Sequence, residues 1–299
     1  MSILSVLFAL IAAGLFAVGT VFEQKGAMEE PDTRAGLLLR LVRKPVWLVG
    51  VLADALGYAA QAAALGVGKL IVVQPLLVAS VVFALPLGVR MTGQRIGRRE
   101  VVGAATVCAG LVVFMVVANP SGGRTDAAGR DWLIAGGVVA AAAAVLTLGA
   151  IGRSAGVKAA LLGTAAGIIF GLVSALTKAT VDRFDDGLLA VVWNWHAYVL
   201  IAASLVGFTL LQASLQTGAL APSVTTSMVF ETVAGVAIGI VLLGEELHEQ
   251  AWGIAVSAVA LAAILAGVIA LAGSQSAPSD NPAPAGDVAR PRKRGIPRA

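Results

Sequence analysis

Two acidic residues stand at positions where a carboxylate is costly. Glu231 falls near the middle of the apolar stretch 219–243, ALAPSVTTSMVFETVAGVAIGIVLL. Such a stretch has the ~20–25 residues that a helix needs to cross a ~30 Å hydrocarbon core. Asp54 lies about halfway along a second stretch, 46–66. A carboxylate at mid-membrane depth costs roughly 2–3 kcal/mol on insertion scales, and it is kept mainly where it lines a pathway or binds a cation or proton. Ser223, Ser227, Glu231, Gly235 and Gly239 follow one another four residues apart. On a helix they form one small, partly polar stripe, suited to close packing or to lining a cavity. Gln61 stands seven residues after Asp54 and shares its face, with Gly50 and Gly57 on or near it. Two acids at similar depth suit a proton, a metal cation or an organic cation. The structural alternatives are a neutral, hydrogen-bonded Glu231 in a tightly packed helix, and an Asp54 paired with a buried lysine or a helix-end amide.

Other polar residues in apolar runs extend this set. Gln74 sits beside Pro75, and Pro86 follows in the same stretch, KLIVVQPLLVASVVFALPLG. Each proline removes a backbone hydrogen bond and can kink a helix, exposing carbonyls to a substrate path or serving packing alone. Gln212 and Ser227 would add a neutral amide and a hydroxyl to the substrate- or ion-binding set of Asp54, Gln61, Gln74 and Glu231. Asp54 and Glu231 are also the candidate metal ligands, for a metal left unspecified. Lys25 and Lys178 are gating candidates that would pair with Asp54 or Glu231 in alternate states; the alternative is snorkelling to headgroups. Gly163, Gly167 and Gly171 mark a close-packing helix face. Trp193, Trp195 and Tyr198 read as an interfacial belt, with His196 in it. His248 lies in the acidic loop GEELHEQ, and two isolated histidines give no metal-site spacing. There is no nucleophile–base set, Walker loop or Rossmann fingerprint, so no enzymatic activity and no cofactor is expected; coupling to a proton or another cation would suffice.

The elements that must position these residues follow from composition. Of 299 residues, 58% are hydrophobic and only 13% charged, against about 25% charged in a soluble domain. This is the composition of a polytopic membrane protein. The formal charge of +4 resides in loops and tail and does not point to nucleic acid. The single cysteine, Cys108, excludes an intrachain disulfide framework. Apolar runs predict nine transmembrane helices, at about 3–22, 46–66, 70–90, 101–118, 132–151, 157–177, 194–216, 219–243 and 251–272; an undetected tenth would move one end of the chain. The segment GLLLRLV is too short to cross and would lie along the interface. Residues 274–299 are Pro-rich, polar and basic, and are expected to be disordered. The N-terminus lacks a basic region and a convincing cleavage site, and reads as a retained first span.

With nine spans, sixteen of the 21 Lys and Arg residues share one side: Lys25, Arg34, Arg40, Arg43, Lys44, Arg90, Arg95, Arg98, Arg99, Arg153, Lys158, Arg290, Arg292, Lys293, Arg294 and Arg298. The positive-inside rule then places the tail in the cytoplasm and the N-terminus outside, in what would be a bacterial plasma membrane. Shifting the chain by 150 residues aligns Gly57 with Gly207, Leu65 with Leu215 and Gly103 with Gly253, and a shift of 153 brings Lys25 onto Lys178. The expected organisation is therefore a first four-helix repeat (1–118), a loop with a connecting transmembrane helix (119–156), a second repeat (157–273) and the tail (274–299). One connecting span inverts the second repeat, as in secondary transporters whose sites lie at the midplane between halves.

The run VLLGEELHEQAWGIAVSAVALAAILAGVIAL (241–271) resembles the closing segment of an EamA-like repeat of the drug/metabolite transporter superfamily, with its Gly-Glu at Gly244-Glu245 and glycines at Gly253 and Gly267. The first half carries a weaker copy, TGQRIGRREVVGAATVCAGLVV, in which Gln94 replaces the Glu. FAVGTVFEQKGAM and LGYAAQAAALGVGKLIVVQPLLVAS resemble the first three helices of the NIPA-type magnesium transporter branch. Here Gln61 stands where that branch would have Asn, and Gln74-Pro75-Leu76 stands for Thr-Pro-Leu. The acid expected near Tyr58 is Asp54 instead, one turn earlier on the same face. The resemblance implies an alternating-access secondary transporter of a small metabolite or cation, with a NIPA-like magnesium permease as the alternative. From a different class, the same chain would suit a non-transporting membrane scaffold or assembly protein, its small-residue faces meeting partner helices and its basic tail anionic lipid. Those faces also allow a homodimer without requiring one.

Overall fold

The structure is a computed structural model that describes residues 2–28, 43–92, 97–117, 121–217, 220–246 and 250–275. The segment GLLLRLV, Gln94, His248 and the tail from residue 276 lie outside the described residues. The chain is an all-α membrane protein. Its helices are α1 (Ile3–Met28), α2 (Pro45–Gly66), α3 (Leu70–Leu77), α4 (Ala79–Thr92), α5 (Arg98–Val117), α6 (Gly129–Gly149), α7 (Ala155–Asp182), the short α8 (Leu188–Val192), α9 (Trp195–Leu215), α10 (Leu220–Val241) and α11 (Ala251–Gln275). Among the described residues, eight helical stretches are long and apolar enough to cross a membrane, and Val101–Val117 is a shorter apolar helix. In lipid a helix is the local solution that satisfies every backbone group within one segment.

The prolines act unequally. The helix breaks at Val78, three residues after Pro75, where the Val78 N–H bonds Pro75 O (3.2 Å) and α4 restarts. Around Pro86 the α4 helix continues without a break.

α7 is the most enclosed of the helices long enough to span a membrane. Its inward positions include Ala159, Gly163, Ala165, Ala166, Gly167, Gly171 and Ala175. Small residues let neighbouring backbones approach, which is what drives helix association where lipid removes the hydrophobic term. A Cβ on Gly163 would meet the Ser223 carbonyl and Thr226, one on Gly167 the Ser227 carbonyl and the Glu231 N–H, and one on Gly171 Ala234 and Gly235. α7 therefore lies directly on α10, and it also packs against α9 and α6. In the first half α1 packs on α2 and on the broken α3–α4. The halves meet where α3 touches α10, α2 touches α7, and α5 lies along α11. The core runs through these contacts, with Leu65, Leu70, Ile71, Val107, Phe114, Leu176, Leu243 and Ile264 fully buried. Apolar side chains on α6 and α9, among them Leu133, Val138, Ile201 and Leu205, point outward, as lipid-facing residues do.

The loops around residues 67–69, 121–128, 183–194 and 242–246 gather at one end of the bundle. There β1 (Ser121–Gly122) pairs antiparallel with β2 (Glu245–Glu246), Ser121 opposite Glu246 and Gly122 opposite Glu245. The Arg124 N–H bonds Leu243 O at 2.8 Å, and the Ser5 hydroxyl donates to Ala64 O at 3.0 Å, so α1 begins at this end too.

Candidate functional site

The acids lie along the inner edge of the first half and the facing stripe of α10. Asp54 projects from α2 against Gly19 of α1, so closely that a Cβ on Gly19 would overlap its Oδ1. One turn further along α1, Glu23 packs on Gly50 of α2 and lies within electrostatic reach of Asp54. Glu23 was not among the sequence candidates. It stands in FEQK at the polar end of an apolar run, and only its four-residue spacing from Gly19 signals that it shares the α1–α2 interface. Tyr58, one turn on from Asp54, is within electrostatic reach of Glu231, Asp54 and Glu23. Its ring stands edge-on to Phe16 (centroids 5.0 Å, 73°), yet it keeps 56% of its surface. Tyr58 thus lies near acids carried on three helices while part of its own surface stays open. Among the described residues, the carboxyls of Glu23, Asp54 and Glu231 make no hydrogen bond and no ion pair, although Asp54 and Glu231 are half-buried.

Neutral polar groups stand on the same and adjoining helices. The Gln61 amide donates to Ser174 Oγ at 3.2 Å, joining α2 to α7 inside the bundle. Gln74 is 1% exposed, its side chain lies on Gly235, and its Nε2 has no hydrogen-bond partner among the described residues. Gly235 is one turn from Glu231, so Gln74 sits beside the acid-bearing stripe. Ser227 is buried on that stripe. Gln212 is half-buried on α9, apart from these contacts. Among the described residues no group of three or more His, Cys, Asp or Glu side chains is placed to hold a metal ion.

The two lysines differ. Lys25, in the last turn of α1, is half-buried, about 20 residues and roughly 30 Å of helix beyond Ser5 and so at the opposite end. Lys178 is 6% exposed and pairs with neither Asp54 nor Glu231 in this structure. Its ammonium donates to Glu245 Oε1 (2.9 Å) and to Gly68 O (2.6 Å). The Leu70 and Ile71 N–H groups donate to the two Glu245 oxygens at 3.0 and 2.8 Å. Glu245 therefore caps α3, supplying acceptors to first-turn N–H groups that a helix cannot satisfy itself. In the sequence Glu245 is only half of a Gly-Glu turn; its partner helix is remote.

A second cluster secures the same end. Asp126 accepts from the Trp132 indole (2.8 Å), the Ala127 N–H (2.7 Å) and the Arg183 guanidinium (2.9 Å). Burial pushes its carboxyl up, but these bonds outweigh burial and hold it below the ordinary aspartate value. His196 is not the belt residue expected. It is 2% exposed, stacked on Trp195 at 3.8 Å, with Nε2 3.1 Å from Asp126 Oδ1 and Nδ1 against Asn194 Oδ1. Trp193, Trp195 and Tyr198 do face outward.

The chain is 32% identical over 285 residues to an uncharacterized protein of Corynebacterium glutamicum, an alignment taking in 93% of this chain and 98% of that one. No family model matches the chain, and no solved structure matches it.

Proposed function

The chain belongs to the same family as that Corynebacterium glutamicum protein, and from that premise we propose that it is a secondary transporter working by alternating access. The carrying observation is the set of carboxyls of Glu23, Asp54 and Glu231 on α1, α2 and α10, which lie within electrostatic reach of Tyr58 and have no partner among the described residues. Unpartnered acids in apolar helices are costly, and a bound proton or cation offsets that cost. Asp54 and Glu231, with Glu23, take the coupling proton or a small cationic solute. Gln61, Gln74 and Tyr58 supply neutral contacts, while Gln212 stands at the margin.

Nine transmembrane helices in two inverted four-helix repeats, as in the drug/metabolite transporter superfamily, account for the packing. Exchange of α1, α2, α3–α4 and α5 with α7, α9, α10 and α11 maps α1–α2 onto α7–α9 and α1–α3 onto α7–α10. The same exchange maps the cross-pairs α3–α10 and α5–α11 onto themselves. The gathered loops form the outer gate, with the N-terminus outside, the tail cytoplasmic and Lys178 bolting the gate through Glu245. A plasma-membrane location follows from this reading. A NIPA-like magnesium permease is the alternative, in which Asp54 and Glu231 would hold a hydrated magnesium ion.

The test is proton and cation flux in proteoliposomes with internal dyes. Wild type should move a cation or proton, and Asp54→Asn with Glu231→Gln should lose that flux while inserting normally. Undiminished flux in the double variant would sink the assignment.

A further inference from the structure

One buried titratable ring takes no part in the transport reading. His196 is 2% exposed at the start of α9, stacked on Trp195 and edge-on to Trp132 of α6 (centroids 5.3 Å). Each of its two ring nitrogens faces an oxygen. Nδ1 lies against Asn194 Oδ1. The same oxygen accepts the His196 N–H at 2.9 Å as the N-cap of α9, so the amide turns an acceptor, not a donor, toward the ring. Nε2 lies 3.1 Å from Asp126 Oδ1. A neutral imidazole carries one N–H and one lone pair. Either tautomer therefore leaves a lone pair against an oxygen, and only the imidazolium presents a donor to both.

The contact with Asp126 depends on that charge. Asp126 Oδ1 already accepts the Ala127 N–H and the Trp132 indole N–H, and Nε2 makes no aligned hydrogen bond in this structure. What Nε2 gains from the carboxylate is electrostatic, and a neutral ring gains little. The other charged group facing the ring is Arg183, just after α7, whose guanidinium bonds Asp126 Oδ2 at 2.9 Å and reaches Asp186 at 3.8 Å. Burial and Arg183 work against a second proton on the ring, and Asp126 works for it. With the ring charged, the cluster holds two cations and two acids. Asp126 itself stays ionised where histidines titrate: burial pushes its carboxyl up, but its bonds to Trp132, Arg183 and Ala127 hold it below the ordinary aspartate value. Asp126 belongs to the 121–128 loop, which also carries β1 and the Arg124 N–H bond to Leu243 O. Holding Asp126 therefore holds the loop that lies against Glu245.

We propose that His196 and Asp126 form a proton-controlled latch on the gathered-loop end: the doubly protonated ring holds the 121–128 loop against α9, and loss of the second proton slackens it. Nothing in this latch rests on the transport reading, and its test needs no flux.

The full chain, purified in uncharged detergent, is unfolded thermally between about pH 8 and pH 5, the range that spans histidine titration. Four proteins are compared: wild type, His196→Phe, Asp126→Asn and the double variant. Phenylalanine keeps an aromatic ring on Trp195 and cannot take a proton. Every other group that titrates in this window is present in all four proteins and cancels in the cycle. The coupling between His196 and Asp126 should raise the midpoint by about 2–4 °C more at the acid end than at the alkaline end. Hydrogen exchange of the 121–128 amides, corrected for the intrinsic effect of pH, should slow about threefold in wild type over the same range and stay level in His196→Phe. A coupling that is constant with pH, as a merely packed aromatic ring would give, overturns the latch. So does a coupling that shrinks toward acid, or loop exchange in wild type that ignores pH, a result that needs no variant to fold.

Discussion

Replacing Glu245 by Gln keeps the shape of the side chain and removes the charge on which two other helices depend. The Glu245 carboxylate accepts two N–H groups from α3 and the Lys178 ammonium from α7, and its side chain is 0% exposed. Hydrogen bonds to a charged acceptor contribute about 1.5–3 kcal/mol each. Removing one partner of a buried ion pair costs about 3–5 kcal/mol, because the other charge stays buried. An amide oxygen retains part of the α3 cap, so a loss of about 4 kcal/mol is expected rather than the sum of three bonds. At about 2–4 °C per kcal/mol for a large domain, the unfolding midpoint should fall by about 8–16 °C. Lys178→Met should cost less, about 2 kcal/mol, because the α3 N–H groups still hold the carboxylate. The double variant should be no worse than Glu245→Gln alone, with a coupling of about 2 kcal/mol in a double-mutant cycle. Fluorescence-monitored thermal unfolding in detergent reads all four proteins. Additive losses, or a midpoint within 2 °C of wild type for Glu245→Gln, would refute the argument that this contact clamps the end of the bundle.

Three further outcomes follow from particular contacts. Gly167→Ala should cost about 1–3 kcal/mol, since the new methyl would drive into the Ser227 carbonyl and the Phe230 side chain. Gly14→Ala, with nothing within 4 Å of its Cβ position, should be neutral or gain up to about 1 kcal/mol in the same assay. Asp126 is held below its ordinary value of 3.8, so its stabilising contribution is present above about pH 4 and is lost as pH falls through the folded value. The difference in unfolding midpoint between wild type and Asp126→Asn should therefore shrink below about pH 4, and a difference constant from pH 7 to 3 would count against the network.

Much of the frame was legible because membrane helices declare themselves locally. The apolar runs placed most long helices to within about three residues, although the first and the Ala155–Asp182 helix run five or six residues further than expected; the close-packing face Gly163–Gly167–Gly171 lies on α10 as its spacing implied, and Asp54 and Glu231 were visible as acids inside apolar runs. What escaped was the choice of partner. Nothing in KLIVVQ shows that the α3 N-terminus is capped from 175 residues away, and nothing in GEELHEQ shows that its first Glu meets Lys178. His196 read as part of an aromatic belt because its neighbours Trp195 and Tyr198 do face outward, while Asp126, in a polar loop, gave no periodic signal that it would cover the ring. The presence of both Pro75 and Pro86 within one apolar run did not distinguish the proline where the helix breaks from the one it passes through.

The distance in sequence between α3 and its cap also sets an order of events during synthesis. The Leu70 and Ile71 N–H groups emerge 175 and 174 residues before the carboxylate that satisfies them. At roughly 5–20 residues per second, a ribosome needs on the order of 10–35 s to cover that gap. For this interval the third apolar stretch sits in the bilayer with an open N-terminal turn. The β1–β2 ribbon and the Lys178 contact must wait for the same late segment, since both use Glu245. A chain released before residue 245 would hold its early helices without their fastening, so quality control that recognises exposed polar backbone within the membrane would meet every truncated product in that state.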